Sequence, residues 1–233
     1  MSRRCTWNSD KLLKLYSKLR EVYRPSVEDF VAWKLRSERK TPFEMLIGIV
    51  LSQNTSDKNA VVAMERLYNF IGQLDPVKVR SIDAEKLAEA IRPAGMHRRR
   101  AQLIKELAKY VIAHPDWLEK LERMDVENAR RELMKMPGVG PKTADVFLLM
   151  YLNRATFPVD THITRVAMRV GLVERGATYE KIRQTFMRLL PPEPKILAEM
   201  HVLLITHGRS ICKALKPLCD RCPVRELCCT TSS

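Results

Sequence analysis

A lysine, an aspartate and four cysteines stand at spacings that chemistry can use. Lys142 follows the turn PGVG and Pro141, and leads the apolar stretch TADVFLLM. Its amine has three uses open to it: a solvated charge, a partner for phosphate, or, when uncharged, a nucleophile toward carbon. Asp160 lies in VDTHITRV, eighteen residues further on. It can cap the helix that begins there. Facing an amine across a groove, it can also stabilise positive charge developing on a sugar ring, or take a proton from the lysine. The cysteines run Cys212-x6-Cys219-x2-Cys222-x5-Cys228, within 17 residues. A zinc ribbon generally wants two close pairs, and only one CxxC is present. Four thiolates in so short a loop, with Pro223 after a ligand, suit a cubane [4Fe-4S] cluster; zinc is the alternative. Cys229 is spare, because one further residue points it elsewhere. Lys213, Lys216, Arg221 and Arg225 share the loop, so a cluster pinning it would present positive charge to phosphate.

The elements that must position these residues read as helices. Apolar residues recur at helical spacing in SDKLLKLYSKLREVY, with Ser9 expected as the cap and Pro25 as the stop. SVEDFVAWKL is expected as a second helix. TPFEMLIGIVLSQ opens with Thr41 as cap and Pro42 at the first helical position, and is apolar all round, as a central buried helix must be. Helical stretches continue to KILAEMHVLLITHGRSIC, and no segment shows the alternation of a strand. The expected class is all-α.

Bulk composition narrows the partner. The 233 residues carry 41 Lys and Arg against 27 Asp and Glu, a net +14, which suits a polyanion such as nucleic acid. No apolar run approaches the roughly 20 residues that span a bilayer, so no membrane role is expected. Clustered cysteines and a basic N-terminus without an apolar core point to an intracellular, reducing setting rather than a disulfide framework.

ARRELMKM, PGVG and PKTADVFLLM together form a helix, a tight turn and a second helix. Gly138 and Gly140 permit unusual backbone angles, and the free N–H groups of the turn and helix start can face phosphate. Such a helix-hairpin-helix grips backbone without reading sequence. This hairpin, VDTHITRV and the cysteine loop occur in one order. With LSQNTSD, PAGMHRRRA and HGRSIC they closely resemble the endonuclease III family of helix-hairpin-helix DNA glycosylases, from about Pro42 to Cys228.

The resemblance implies a bifunctional DNA glycosylase and AP lyase of base excision repair, acting as a monomer on double-stranded DNA with a damaged base, by family default an oxidised pyrimidine, or an abasic site. Lys142 matches the lysine that attacks the sugar C1′ and forms a Schiff base; Asp160 matches the family aspartate. Met96 corresponds to an apolar wedge, with a core methionine as the plainer alternative. Asn54 falls where family members usually carry Gln, and neighbouring Gln53 could substitute. Gly138, Val139, Gly140 and Thr143 of the hairpin, and Arg98, Arg99 and Arg100 at the next helix start, are expected at the DNA. Pro141 stands where the family often has a basic residue. The resemblance further implies a helical barrel domain over 34–154, and a second domain built from 1–33 and 155–233 that carries the [4Fe-4S] loop. The expected place of work is the cytoplasm or nucleoid. Two alternatives stand beside this reading: a glycosylase for U or T opposite G, and a DNA-binding clamp without catalysis.

Overall fold

This computed structural model describes residues 6–230, and every regular element among them is helical. The expected all-α class is met. The described residues form two compact units. One joins those up to Pro25 with those from Ala155 onward; the other is Ser26–Arg154. Residues 1–5 and 231–233 of the expected terminal domain lie outside the described residues.

Helix α1 (Ser9–Val22) belongs to the terminal unit. Asn8, not Ser9, caps it: the extended backbone of Asn8 lets its Oδ1 accept the Lys11 N–H at 3.0 Å. In the central unit follow α2 (Val31–Ser37), α3 (Pro42–Ser52), α4 (Asp57–Ile71), α5 (Pro76–Ser81), α6 (Ala84–Ala90), α7 (His97–Ala113), α8 (Trp117–Arg123), α9 (Val126–Leu133) and α10 (Pro141–Met150). The expected helix over SVEDFVAWKL is split. Ser26 caps a 3-10 turn over Val27–Asp29, and α2 begins only at Val31. Because α2 packs on α3, and the Val31 N–H reaches Asp57 at 3.4 Å, residues 26–33 join the central unit rather than the terminal one. Helices α5 and α8 are single short pieces that periodicity does not predict.

Helix α3 is the axis of the central unit. Thr41 and Glu44 close a capping box, with N–H to oxygen distances of 3.2 and 2.7 Å. Every residue from Phe43 to Leu51 is buried, and α2, α4, α7 and α10 pack around them. A Cβ on Gly48 would stand 2.3 Å from Leu35 Cδ1, so this glycine sets how closely α2 approaches. Helix α3 therefore delivers its C-terminal residues, Gln53 and Asn54, from a fixed base.

The terminal unit continues with α11 (Thr161–Val170), α12 (Tyr179–Leu189) and α13 (Pro194–Ser210). Both α1 and α11 pack on α13. Leu12, Leu15 and Leu19 form the buried stripe of α1, and beside it Tyr16 donates to Glu199 at 2.6 Å while Arg20 pairs with the same carboxylate at 3.0 Å. The cysteine loop follows α13, anchored by buried Val224 and Leu227.

Candidate active site

The hairpin of the central unit is built as its sequence requires, with one change. Gly138 adopts φ +74°, and a Cβ there would meet Leu103 Cδ2 at 2.5 Å. Gly140 does not use its freedom: φ is −89°, and open space lies where its Cβ would be. It caps α10 without a side chain, so the first N–H groups of that helix have no cap. Pro141 occupies the first helical position. Behind the turn, buried Arg130 of α9 pairs with fully buried Asp145 of α10 at 3.1 Å, welding the two helices. Lys142 projects half-buried from this start and makes no ion pair or hydrogen bond within its unit.

The expected DNA residues divide into two groups. Val139 and Thr143 turn inward, 5% and 3% exposed, and the Val139 N–H is taken by Met136 O at 3.1 Å. Gln53 does not reach outward: its Nε2 donates to Gly138 O at 3.0 Å and to Thr143 Oγ1 at 3.1 Å, bracing the hairpin against the end of α3. Arg100 is 3% exposed, and its guanidinium is bonded to the carbonyls of Gly95, Val50 and Gln53. Asn54, Met96, Arg98 and Arg99 do face solvent. Arg98 pairs with Glu85 at 3.2 Å, an exposed contact that DNA can displace. Met96 is 49% exposed with φ +45°, so it is no core methionine. Asn54 has φ +52°, a left-handed conformation that Asn tolerates better than Gln. Each such residue costs on the order of 1 kcal/mol, and strain of this kind concentrates where function demands it.

Sequence reasoning missed the role of Arg100, although a signal was present. Arg100, Ile104, Leu107 and Val111 share one helical stripe, and all four are buried. An arginine on a core stripe needs internal acceptors; a solvated charge run does not.

In the terminal unit Asp160 is the cap of α11. Its Oδ1 accepts the Ile163 N–H at 2.8 Å, which fixes the carboxylate and leaves Oδ2 open. The strand of chain before it is tied down residue by residue. Arg183 Nε donates to Thr156 Oγ1 at 3.0 Å, Phe157 stacks on Phe186 at 4.2 Å, and buried His201 Nδ1 donates to Pro158 O at 3.0 Å. His162, next after Thr161, is held below the ordinary histidine range, first by burial. Arg165 Nη2 donates to its Nδ1 at 3.0 Å, as a neutral ring permits.

Cys212, Cys219, Cys222 and Cys228 are free thiols, each half-buried. Burial pushes the Cys222 thiol up, and the nearby Cys228, Cys212 and Cys219 add to the rise, so the four charges would crowd one another without a cation. Arg169 Nη1 lies 3.6 Å from Cys212 Sγ and also donates to Lys213 O at 2.6 Å; its Nη2 donates to Ala214 O at 2.7 Å. Arg165 Nε donates to Cys212 O at 2.9 Å. Helix α11, which carries Asp160, thus also holds the first turn of the cysteine loop. His207 Nε2 stands 3.9 Å from Cys222 Sγ, and burial takes this ring down to about 4, so it is neutral at ordinary pH. Among the described residues no three His, Cys, Asp or Glu side chains converge on a single ion. The donor set is one of four thiols on one loop, and it fits an iron–sulfur group. Cys229 stands apart from that set, as the spare it was expected to be, and is disulfide-bonded. One residue past Cys228, its backbone turns to Val170, with N–H to O at 3.3 Å.

The family model for the HhH-GPD superfamily base excision DNA repair protein matches residues 47–192, and that for the iron-sulfur binding domain of endonuclease III matches residues 212–228. Endonuclease III of Sulfolobus acidocaldarius is 34% identical over 215 residues, covering 92% of this chain and 94% of that protein. Endonuclease III of Rickettsia conorii is 35% identical over 189 residues, covering 81% and 84%. Among solved structures, a trapped endonuclease III–DNA covalent intermediate superposes with a TM-score of 0.80 at 27% identity, over 97% of this chain and 98% of that one. A thermostable thymine-DNA glycosylase shares the fold, with a TM-score of 0.71 at 22% identity over 96% and 97%.

Proposed function

Because the chain belongs to the endonuclease III family of the HhH-GPD superfamily, we propose that it excises oxidised pyrimidines from duplex DNA with Lys142 as nucleophile and Asp160 as the stabilising anion. It is a DNA glycosylase and AP lyase of base excision repair, it binds DNA, and its cofactor is a [4Fe-4S] cluster. The single observation that carries the residue assignment is Lys142: a half-buried amine, unpaired within its unit, one position inside an uncapped helix start.

The chemistry follows from these groups. Departure of the base leaves oxocarbenium character at C1′, and a carboxylate beside the sugar lowers that barrier. The Lys142 nitrogen lone pair forms the bond to C1′, while the C1′–N bond to the base breaks and the base leaves with the electron pair. The ring opens to an imine, and the electron-withdrawing C=N makes the C2′ proton acidic. Its loss expels the 3′ phosphate by β-elimination, and water then releases Lys142 from the sugar. Asp160 is suited to its part because its cap bond fixes one oxygen and leaves the other for the sugar. The uncapped N–H groups of α10 and the exposed Arg98 and Arg99 supply the phosphate grip, while Met96 and Asn54 fill the gap left by the extruded nucleotide. Bound by the four cysteines, the cluster would fix the loop rigidly and hold Lys213 and Lys216, which carry its positive charge, in reach of DNA backbone. The enzyme acts as a monomer, inside the cell.

Borohydride added to protein and an abasic duplex tests the nucleophile. Wild type should give a covalent adduct and Lys142→Gln none; unchanged trapping by the variant removes Lys142 from the mechanism. A lesion panel then separates oxidised pyrimidines from U or T opposite G.

A further inference from the structure

We infer that Arg100 is a positioning residue for nucleotide extrusion: its buried guanidinium holds the two gap-filling residues, Asn54 and Met96, at one fixed separation, and Gln53 couples both to the helix that bears Lys142. The inference rests on the reading of the site given above.

Arg100 bonds only to main-chain carbonyls. Nε donates to Gly95 O at 2.8 Å, while Nη1 and Nη2 donate to Val50 O and Gln53 O. These acceptors come from two separate segments, the end of α3 and the loop before α7. Each segment's clamped peptide directly precedes an exposed residue in the left-handed region: Gln53 precedes Asn54 at φ +52°, and Gly95 precedes Met96 at φ +45°. The planar fork of arginine reaches both segments at once; the point charge of a lysine cannot. The charge is tolerated in the interior because the acceptors include the C-terminal end of α3, where the helix dipole is negative. From the same corner Gln53 Nε2 reaches Gly138 O and Thr143 Oγ1, one residue from Lys142. Wedge, gap-filler and nucleophile are therefore linked through two side chains, neither of which needs to touch DNA. Extruding a nucleotide requires those elements to enter the duplex in register, and a displacement of about 1 Å at such a site is costly.

The test compares one abasic sugar in two settings, in a duplex and in the same strand alone, using the full-length, cluster-loaded protein. Only the duplex requires the stack to be opened and filled. Arg100→Met should slow borohydride trapping on the duplex by about tenfold or more, with single-strand trapping changed less than about threefold. Arg100→Lys should show the same duplex-selective loss, reduced in size. If Arg100→Met fails to fold, Gln53→Ala breaks the second link without stranding a charge, and should also lose duplex trapping selectively. Equal losses on both DNAs, or no loss in Arg100→Lys and Gln53→Ala, would overturn the inference. No adduct from the wild-type protein on either DNA would overturn the Lys142 assignment itself, and the inference with it.

Discussion

Asp160, in the role proposed for it, serves local structure and chemistry with one side chain. One oxygen caps α11 and the other is open. Asn caps as well as Asp, so Asp160→Asn should keep its stability within about 0.5 kcal/mol while base excision falls by about 10²-fold or more. Single-turnover excision beside thermal melting checks this, and a parallel fall in stability would reduce Asp160 to a cap. Asn54 stands at a positive φ. Asn54→Gln should lengthen the side chain but destabilise by a few tenths of a kcal/mol to about 1, because Gln is poorer at positive φ. Excision opposite each of the four bases should shift relative to wild type; an unchanged pattern would show that Asn54 does not meet the opposite base. The roles proposed for Lys142 and Asp160 were legible in the sequence because both residues are embedded in longer patterns. Arg100 was not, since RRR reads as a charge run until the stripe through Ile104 and Leu107 is traced.

At the scale of the element, the hairpin depends on one glycine more than the other. Gly138 carries both the positive φ and the contact with Leu103, whereas Gly140 meets nothing. Gly138→Ala should cost about 2–3 kcal/mol and Gly140→Ala much less, read by denaturant unfolding. Adding Leu103→Ala to Gly138→Ala should recover the steric part and leave the backbone part, a less-than-additive pair. Equal costs at both glycines would mean that the turn is held otherwise. The element order was readable from caps and periodicity where both were strong, as in α3 and α4. It failed at α2, α5 and α8, where pieces of six or seven residues give too few turns for a period to show, and where packing rather than propensity decides.

For the whole molecule, the net +14 and the cysteine loop make separate demands. Duplex affinity should fall at least about 100-fold between 50 and 200 mM salt; a weak dependence would mean that the positive charge is not spread along phosphate. Cys222→Ser should remove the brown colour of the thiolate–iron charge transfer and weaken DNA binding, while the helices of the central unit persist; an unchanged spectrum would exclude Cys222 as a ligand. Charge and cysteine spacing were plain in the sequence because they do not depend on the fold. The inward turn of Thr143 was not, because its hydroxyl accepts from Gln53, ninety residues earlier in the chain. The joining of α1 to α13 has a consequence for the chain as it emerges from the ribosome. The central unit lies between them in the sequence and can be completed early, but the Leu12, Leu15 and Leu19 stripe waits uncovered until Pro194–Ser210 has been made. The cysteines follow directly on that helix, so iron delivery and the docking of the earliest helix fall in the same late interval of synthesis. A chain arrested before that interval would offer a sticky leucine face to chaperones, and a finished one would not.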